Sequence, residues 1–243
     1  MSPIPDPKAN QAVSPTHRPV EAEAKDAAPA ALGSASASAP PQRPSTGAAA
    51  VAAEIVAGTA AQGIDHYMRA LHDPKESVWT HAARIVEEVV NQKPELAAPY
   101  IEKLCALLLS DKPRVVQCAA NALPALAKVA PAKVAKHLKT LQGSFAQASD
   151  AGKDGLVRTF VALCLASVIY QKRLIDVFEQ ALREADTKTL PRWVELILPA
   201  LKGEPYAQAR TVAEQRMTNP ELARPVAQRI ADLLGVKLRV VAR

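Results

Sequence analysis

Set against itself with a displacement of 37 residues, the chain repeats its own apolar pattern. Val78 falls on Val115, Ala82 on Ala119, Val86 on Leu123, Val89 on Leu126, Pro94 on Pro131, Ile101 on Leu138 and Leu104 on Leu141. Self-similarity at such a period marks a repeat architecture, in which each unit buries its apolar face only by stacking on its neighbours. Within a unit the spacing is helical. Val134, Leu138, Leu141, Phe145 and Ala148 follow one another at intervals of four and three, which predicts a helix over 131–148 with one buried stripe. Val78, Ala82, Ile85, Val86 and Val89 form a second such stripe. Val226, Ile230, Leu233 and Leu234 form a third, closed by Gly235 as a C-cap.

The punctuation between helices is short: Asp73-Pro74, Lys93-Pro94, Asp111-Lys112-Pro113, Pro131, Gly203-Glu204-Pro205 and Asn219-Pro220. Proline suits a first helical turn, where its missing N–H costs nothing, and Asp or Asn beside it is expected to cap. Joins this short set neighbouring helices antiparallel. In a third copy, "LVRTFVALCLASV" puts Val157, Val161 and Leu165 where Val115, Ala119 and Leu123 stand, with "SDAGKDG" as a polar loop insertion. Beyond it the register is expected to decay, with "KTLPRWVELILPALKG" and "EPYAQARTVAEQRM" pairing as a terminal cap. The closing "VKLRVVAR" alternates weakly, and a lone strand has no partner, so it reads as a tail or helix extension.

Pro99 early in a first helix, Leu104 five residues later, Asp111 at the turn, then Val115, Ala119 and Leu123 in the second helix together resemble the HEAT repeat family. The resemblance covers residues 64–220 and implies an all-α fold: a short right-handed α-solenoid of antiparallel helix pairs, about four repeats. The family's Arg after Val is Trp79 in one copy, Val116 in the next and Arg158 in the third, so its Asp/Arg ladder between repeats is expected to be broken. The resemblance implies partner binding and specifies no reaction.

Residues 1–50 differ in composition. They hold nine of the 20 prolines and no aromatic residue, so they offer too little large apolar area to offset chain entropy. The expected organisation is a disordered Ala/Pro/Ser-rich tail over 1–50 and a solenoid over 51–243, with 51–63 undecided. The tail lacks the apolar run of a secretory signal, and its five Pro within 19 residues oppose a transit helix. Cys105, Cys118 and Cys164 all lie in apolar helical patterns without CxxC spacing, as buried free thiols of a reducing, cytoplasmic compartment do. No run reaches the ~18 apolar residues of a membrane span. Of the net +6, residues 1–63 contribute four Lys/Arg against five Asp/Glu, leaving about +7 on the remainder.

No residue set specifies catalysis, a cofactor or a metal. His66, His72, His81 and His137 stand at no metal-ligand spacing; Glu87 and Glu88 are adjacent and point apart; "AGKDG" lacks the Walker spacing. Trp79 and Trp193 read as packing between repeats. In a solenoid the second helices line the concave side, which places Thr80, Arg84, Glu87 and Asn91 outward and, one repeat on, Gln117, Asn121, Pro124 and Lys128. Of these, Thr80, Arg84, Glu87, Gln117, Asn121 and Lys128 are the candidate contacts for a protein partner. Pro124, inside a helix at a cost of ~3 kcal/mol, is expected to sit on that face and curve the helix. Lys133, Lys136 and Lys139 lie off the apolar stripe and suit an acidic partner. The resemblance leaves open a nucleic-acid-binding protein of the DNA glycosylase kind and a lyase or chaperone accessory.

Overall fold

The computed structural model describes residues 47–220 and 222–237, which belong to one compact unit. The tail expected over 1–50 falls outside these residues up to position 46, and its last four positions, 47–50, are instead the first turn of a helix; 238–243 of "VKLRVVAR" also fall outside. The helices are α1 (Gly47–Ala57), α2 (Ile64–Ala70), α3 (Glu76–Gln92), α4 (Ile101–Leu107), α5 (Pro113–Val129), α6 (Pro131–Ala135), α7 (Leu138–Ser144), α8 (Asp150–Ala166), α9 (Ile169–Glu184), α10 (Thr189–Ile197), α11 (Gly203–Met217) and α12 (Arg224–Leu234). Short 3-10 segments, Pro94–Tyr100 and Leu198–Ala200, lead into α4 and out of α10. No strand occurs among the described residues.

Two layers result. Helices α1, α3, α5, α8, α10 and α12 pack in series, each on the next. On their other side α2 packs on α3, α4 on α5, α6 between α5 and α8, α9 on α8 and α10, and α11 on α9 and α12. The all-α solenoid is therefore observed, with five helix pairs preceded by α1. The undecided segment is resolved in favour of a helix: Ala52 and Ile55 of α1 bury against Ile85 and Val89 of α3. Most of the buried apolar residues from Met68 to Leu234 share one continuous core.

The 37-residue grid runs further than the sequence suggests. Helices α3, α5 and α8 are each 17 residues long and start at Glu76, Pro113 and Asp150. Arg224, where α12 starts, lies on the same grid, as do Pro94, Pro131, Val168 and Pro205 in the first helices. Three expectations are corrected. "SDAGKDG" is no loop insertion: Ser149 is the N-cap of α8, its hydroxyl accepting from Gly152 N at 3.4 Å, and the glycines belong to the helix. The register does not decay after it. The last helices pair as α9 with α10 and α11 with α12, and not as α10 with α11.

The reason lies in what the glycines touch. A Cβ on Gly155 would stand 2.4 Å from Ala120 Cβ, 2.5 Å from its Cα and 2.9 Å from its carbonyl oxygen, so α8 crosses α5 almost backbone to backbone. Gly152 meets Leu108 O in the same way, at 3.3 Å from its notional Cβ. These residues look like loop formers in sequence and act as close-packing positions in the fold.

Local details follow the sequence in part. Gly235 ends α12 with φ 66°, and Val236 N donates to Ala231 O at 3.0 Å, a left-handed cap of the expected kind. The predicted stripe over 131–148 is buried throughout, but the helix is interrupted at Lys136–His137, where His137 N reaches back only to Val134 O, a tightened turn. Pro99, which has no N–H to donate, lies in the 3-10 segment that precedes α4. Asp73 and Asp111 do not cap the following helices; Lys75 and Lys112 hold those positions. Lys112 instead closes the preceding repeat, its Nζ donating to Leu71 O (3.4 Å) and Asp73 O (2.9 Å) at the end of α2, and it lies 5.6 Å from the centre of the Trp79 ring. Arg216 does the same for α9, donating to Ala185 O at 2.7 Å.

Candidate functional site

The second helices present a row of polar side chains that crosses four of them. Glu87 on α3 accepts from Arg114 and from Asn121 Nδ2, both on α5. Asn121 Oδ1 accepts from Gln117 Nε2 (3.1 Å) and from Arg158 Nη2 on α8 (3.0 Å). Donors thus face the amide oxygen and a carboxylate faces the amide nitrogen, which fixes the orientation of Asn121. Arg158 Nε lies 3.0 Å from Asp154 Oδ2 as an ion pair, with its N–H off the line of a hydrogen bond. Asp154 Oδ1 accepts from Arg192 and from the Trp193 indole N–H (3.1 Å), both on α10. Burial draws charge-assisted bonds closer to their full strength: the side chains of Glu87 and Asp154 are each only 17% exposed. Desolvation pulls the Arg158 pKa below its usual value.

This row is not the Asp/Arg ladder of the resemblance. Among the described residues Asp111 accepts only from the Ser110 hydroxyl, at 3.5 Å, and different residues join the repeats. Glu87, Gln117 and Asn121 are half-buried and engaged in it. Thr80, Arg84 and Lys128 are not: their side chains make no hydrogen bond or ion pair among the described residues, and Arg84 and Lys128 are exposed. Asn91 is exposed at the end of α3, and Lys133, Lys136 and Lys139 are all exposed on the first-helix layer. The sequence reading missed Arg114, Asp154, Arg158, Arg192 and Trp193 as a set. One more step of 37 from Gln117 and Asn121 lands on Asp154 and Arg158, so the signal was present.

Pro124 is buried, against the expectation that it faces outward. Its grid equivalents Val161 and Leu198 are buried too, which makes this a seam position between repeats. Glu87 is the exception on this seam, and it stays polar because Arg114 and Asn121 satisfy it. The proline ring also removes the N–H that would bond Ala120 O four residues back. That carbonyl is taken instead by Arg158 Nη2 of the next repeat at 3.1 Å. A defect within α5 thereby becomes a bond between α5 and α8.

Reactive groups elsewhere are silenced. Burial pushes the thiols of Cys105, Cys118 and Cys164 up to about 12, with the Glu87 carboxylate adding to the effect at Cys118, so all three stay protonated at neutral pH. No group of three or more His, Cys, Asp or Glu is placed to hold a metal ion among the described residues. Trp79 is partly buried against the core and Trp193 is buried, each between repeats.

No family model and no curated relative matches the sequence. Solved structures do match in fold, two proteins of engineered sequence among them. An engineered protein shares 18% identity with a TM-score of 0.55, covering 77% of this chain and 87% of its own. A designed armadillo repeat protein shares 17% identity with a TM-score of 0.53, over 77% and 90%. With helix pairs on a constant grid, a stacked second-helix layer and these neighbours, the chain has the armadillo/HEAT-like repeat fold.

Proposed function

We propose that the protein is a non-catalytic, cytoplasmic scaffold that binds a protein partner along its second-helix face, tethered through the Ala/Pro/Ser-rich segment that precedes α1. The observation that carries this reading is the division of labour on that face. Glu87, Asn121, Arg158 and Asp154 lock the helices to one another, while Arg84 and Lys128 project from the locked surface with their charges unspent. A partner meeting such a face finds the helices that carry these donors already fixed, so only the side chains remain to be ordered on binding. The engineered repeat neighbours fit a scaffold. No described helix is long and apolar enough to cross a membrane.

The test is quantitative affinity purification of the full chain against the variant Arg84→Glu/Lys128→Glu, which leaves the locking row intact. Partners lost by the variant and retained by the wild type are expected. Equal recovery of every partner removes the second-helix face from the reading. Salt-sensitive retardation of duplex DNA replaces the protein partner with nucleic acid.

A further inference from the structure

The turn between α8 and α9 departs from every other turn on its edge. Leu165, Val168 and Ile169 are 67%, 59% and 72% exposed there. The grid positions of Leu165 in the other repeats hold Asn91, Lys128 and Lys202; those of Val168 hold Pro94, Pro131 and Pro205; those of Ile169 hold Glu95, Ala132 and Tyr206. The repeat template at this edge is therefore polar residue, then proline. Only here does it become three large aliphatic side chains left in water, a patch without a role in the fold.

Its surroundings are cationic. Lys128 and Lys202 occupy the same grid position as Leu165 one repeat to either side, so the patch lies between two exposed ammonium groups. With helices stacked at about 8–10 Å, those two groups stand roughly 20 Å apart. Lys172 and Arg173, also exposed, sit one helical turn after Val168 and Ile169, and Gln142 of α7 holds the Arg173 carbonyl at 2.7 Å. None of these four cations forms an ion pair among the described residues. The nearest carboxylates in sequence, Asp176 and Glu204, are exposed and form no ion pair among the described residues.

We infer that this corner is a second docking site, which takes a protein segment with an aliphatic centre flanked on both sides by carboxylates. The aliphatic centre covers Leu165, Val168 and Ile169, and the flanks meet Lys128 on one side and Lys202 with Lys172 and Arg173 on the other. Charge complementarity sets the sign of the partner, and the spacing sets its length. The site shares only Lys128 with the second-helix face and does not rest on that reading.

The experiment is fluorescence anisotropy on the full chain with a labelled synthetic peptide carrying a Leu-rich centre between Glu-rich flanks. Saturable binding is expected, weakened about tenfold or more by Ile169→Asp and by Lys202→Glu, and unaffected by Arg84→Glu. A peptide with Lys in place of Glu is expected not to bind. Equal affinity for the Lys-flanked peptide, or for the Ile169→Asp protein with unchanged circular dichroism, overturns the proposal. So does a dimer in sedimentation, or binding to phosphatidylserine vesicles, that Ile169→Asp abolishes: the corner then belongs to a second copy or to a membrane.

Discussion

The junction between α5 and α8 and the junction between α10 and α12 occupy equivalent places in the stack, yet they are built differently. At the first, Gly155 lies against Ala120 with no room for a methyl group, and Arg158 is spent on a backbone carbonyl, Asn121 and Asp154. At the second, the one side-chain polar contact between the two helices among the described residues is Arg229 with Glu195, at 3.5 Å, with both side chains more than half exposed. Close backbone approach lets polar groups at the centre exclude water and gain strength, whereas the terminal pair remains screened. The centre of the stack is its clamp, and the end is free to loosen first.

The sharpest way to break that contrast is Gly155→Ala. Its Cβ would collide with three atoms of Ala120, two of them backbone, so the variant is expected to lose about 3 kcal/mol or more in urea denaturation. Ala120→Gly should rescue it only in part, because the Ala120 Cα at 2.5 Å remains in the way. A near-neutral result would mean that α8 shifts freely on α5. Next is Arg158→Met, which leaves Ala120 O, Asn121 and Asp154 short of a donor and should cost about 2–3 kcal/mol. Pro124→Ala restores an N–H to Ala120 O, so in the Arg158→Met background it should return about 1 kcal/mol. Strict additivity in that double-mutant cycle would show that the proline and the arginine are not coupled.

A smaller effect is expected at Asp186, whose carboxylate accepts from Thr189 N (2.7 Å) and Lys188 N (3.1 Å) where α10 begins. These bonds hold its pKa below the ordinary 3.8, with those to Thr189 dominating. Asp186→Ala should cost about 1 kcal/mol at neutral pH, as loss of a helix cap does. The sign is set by the depressed pKa: the contribution is present above the ordinary carboxylate value and lost as pH falls through the lower folded-state one. Wild type and variant should therefore converge in acid, read by thermal melts across pH. Smallest of all, Arg229→Ala should change stability by less than about 0.5 kcal/mol. A larger loss would erase the distinction between centre and end.

The fold was legible because burying apolar stripes is a local demand. Val78, Ala82, Val86 and Val89 recur on the grid as Val115, Ala119, Leu123 and Leu126, and all but Val78 are buried. What misled was glycine. Gly152 and Gly155 promised a loop by conformational preference, but tertiary contact with Leu108 and Ala120 overrode it. That one misreading displaced the third repeat by several residues and hid Asp154 and Arg158. Pro124 misled for a related reason: its grid partner Glu87 is polar, whereas Val161 and Leu198, at the same position in the next two repeats, are buried as Pro124 is. Side-chain bonds between helices depend on lateral register, which no stripe within a single helix reports.

Several backbone carbonyls are closed by donors from further along the chain. Leu71 and Asp73 wait for Lys112, Ala120 for Arg158, and Ala185 for Arg216. During synthesis, then, a newly made helix pair exits with open carbonyls, and it is completed only when the following unit has emerged and docked. Assembly should proceed like a zip drawn from the N-terminal side, always one unit behind the ribosome.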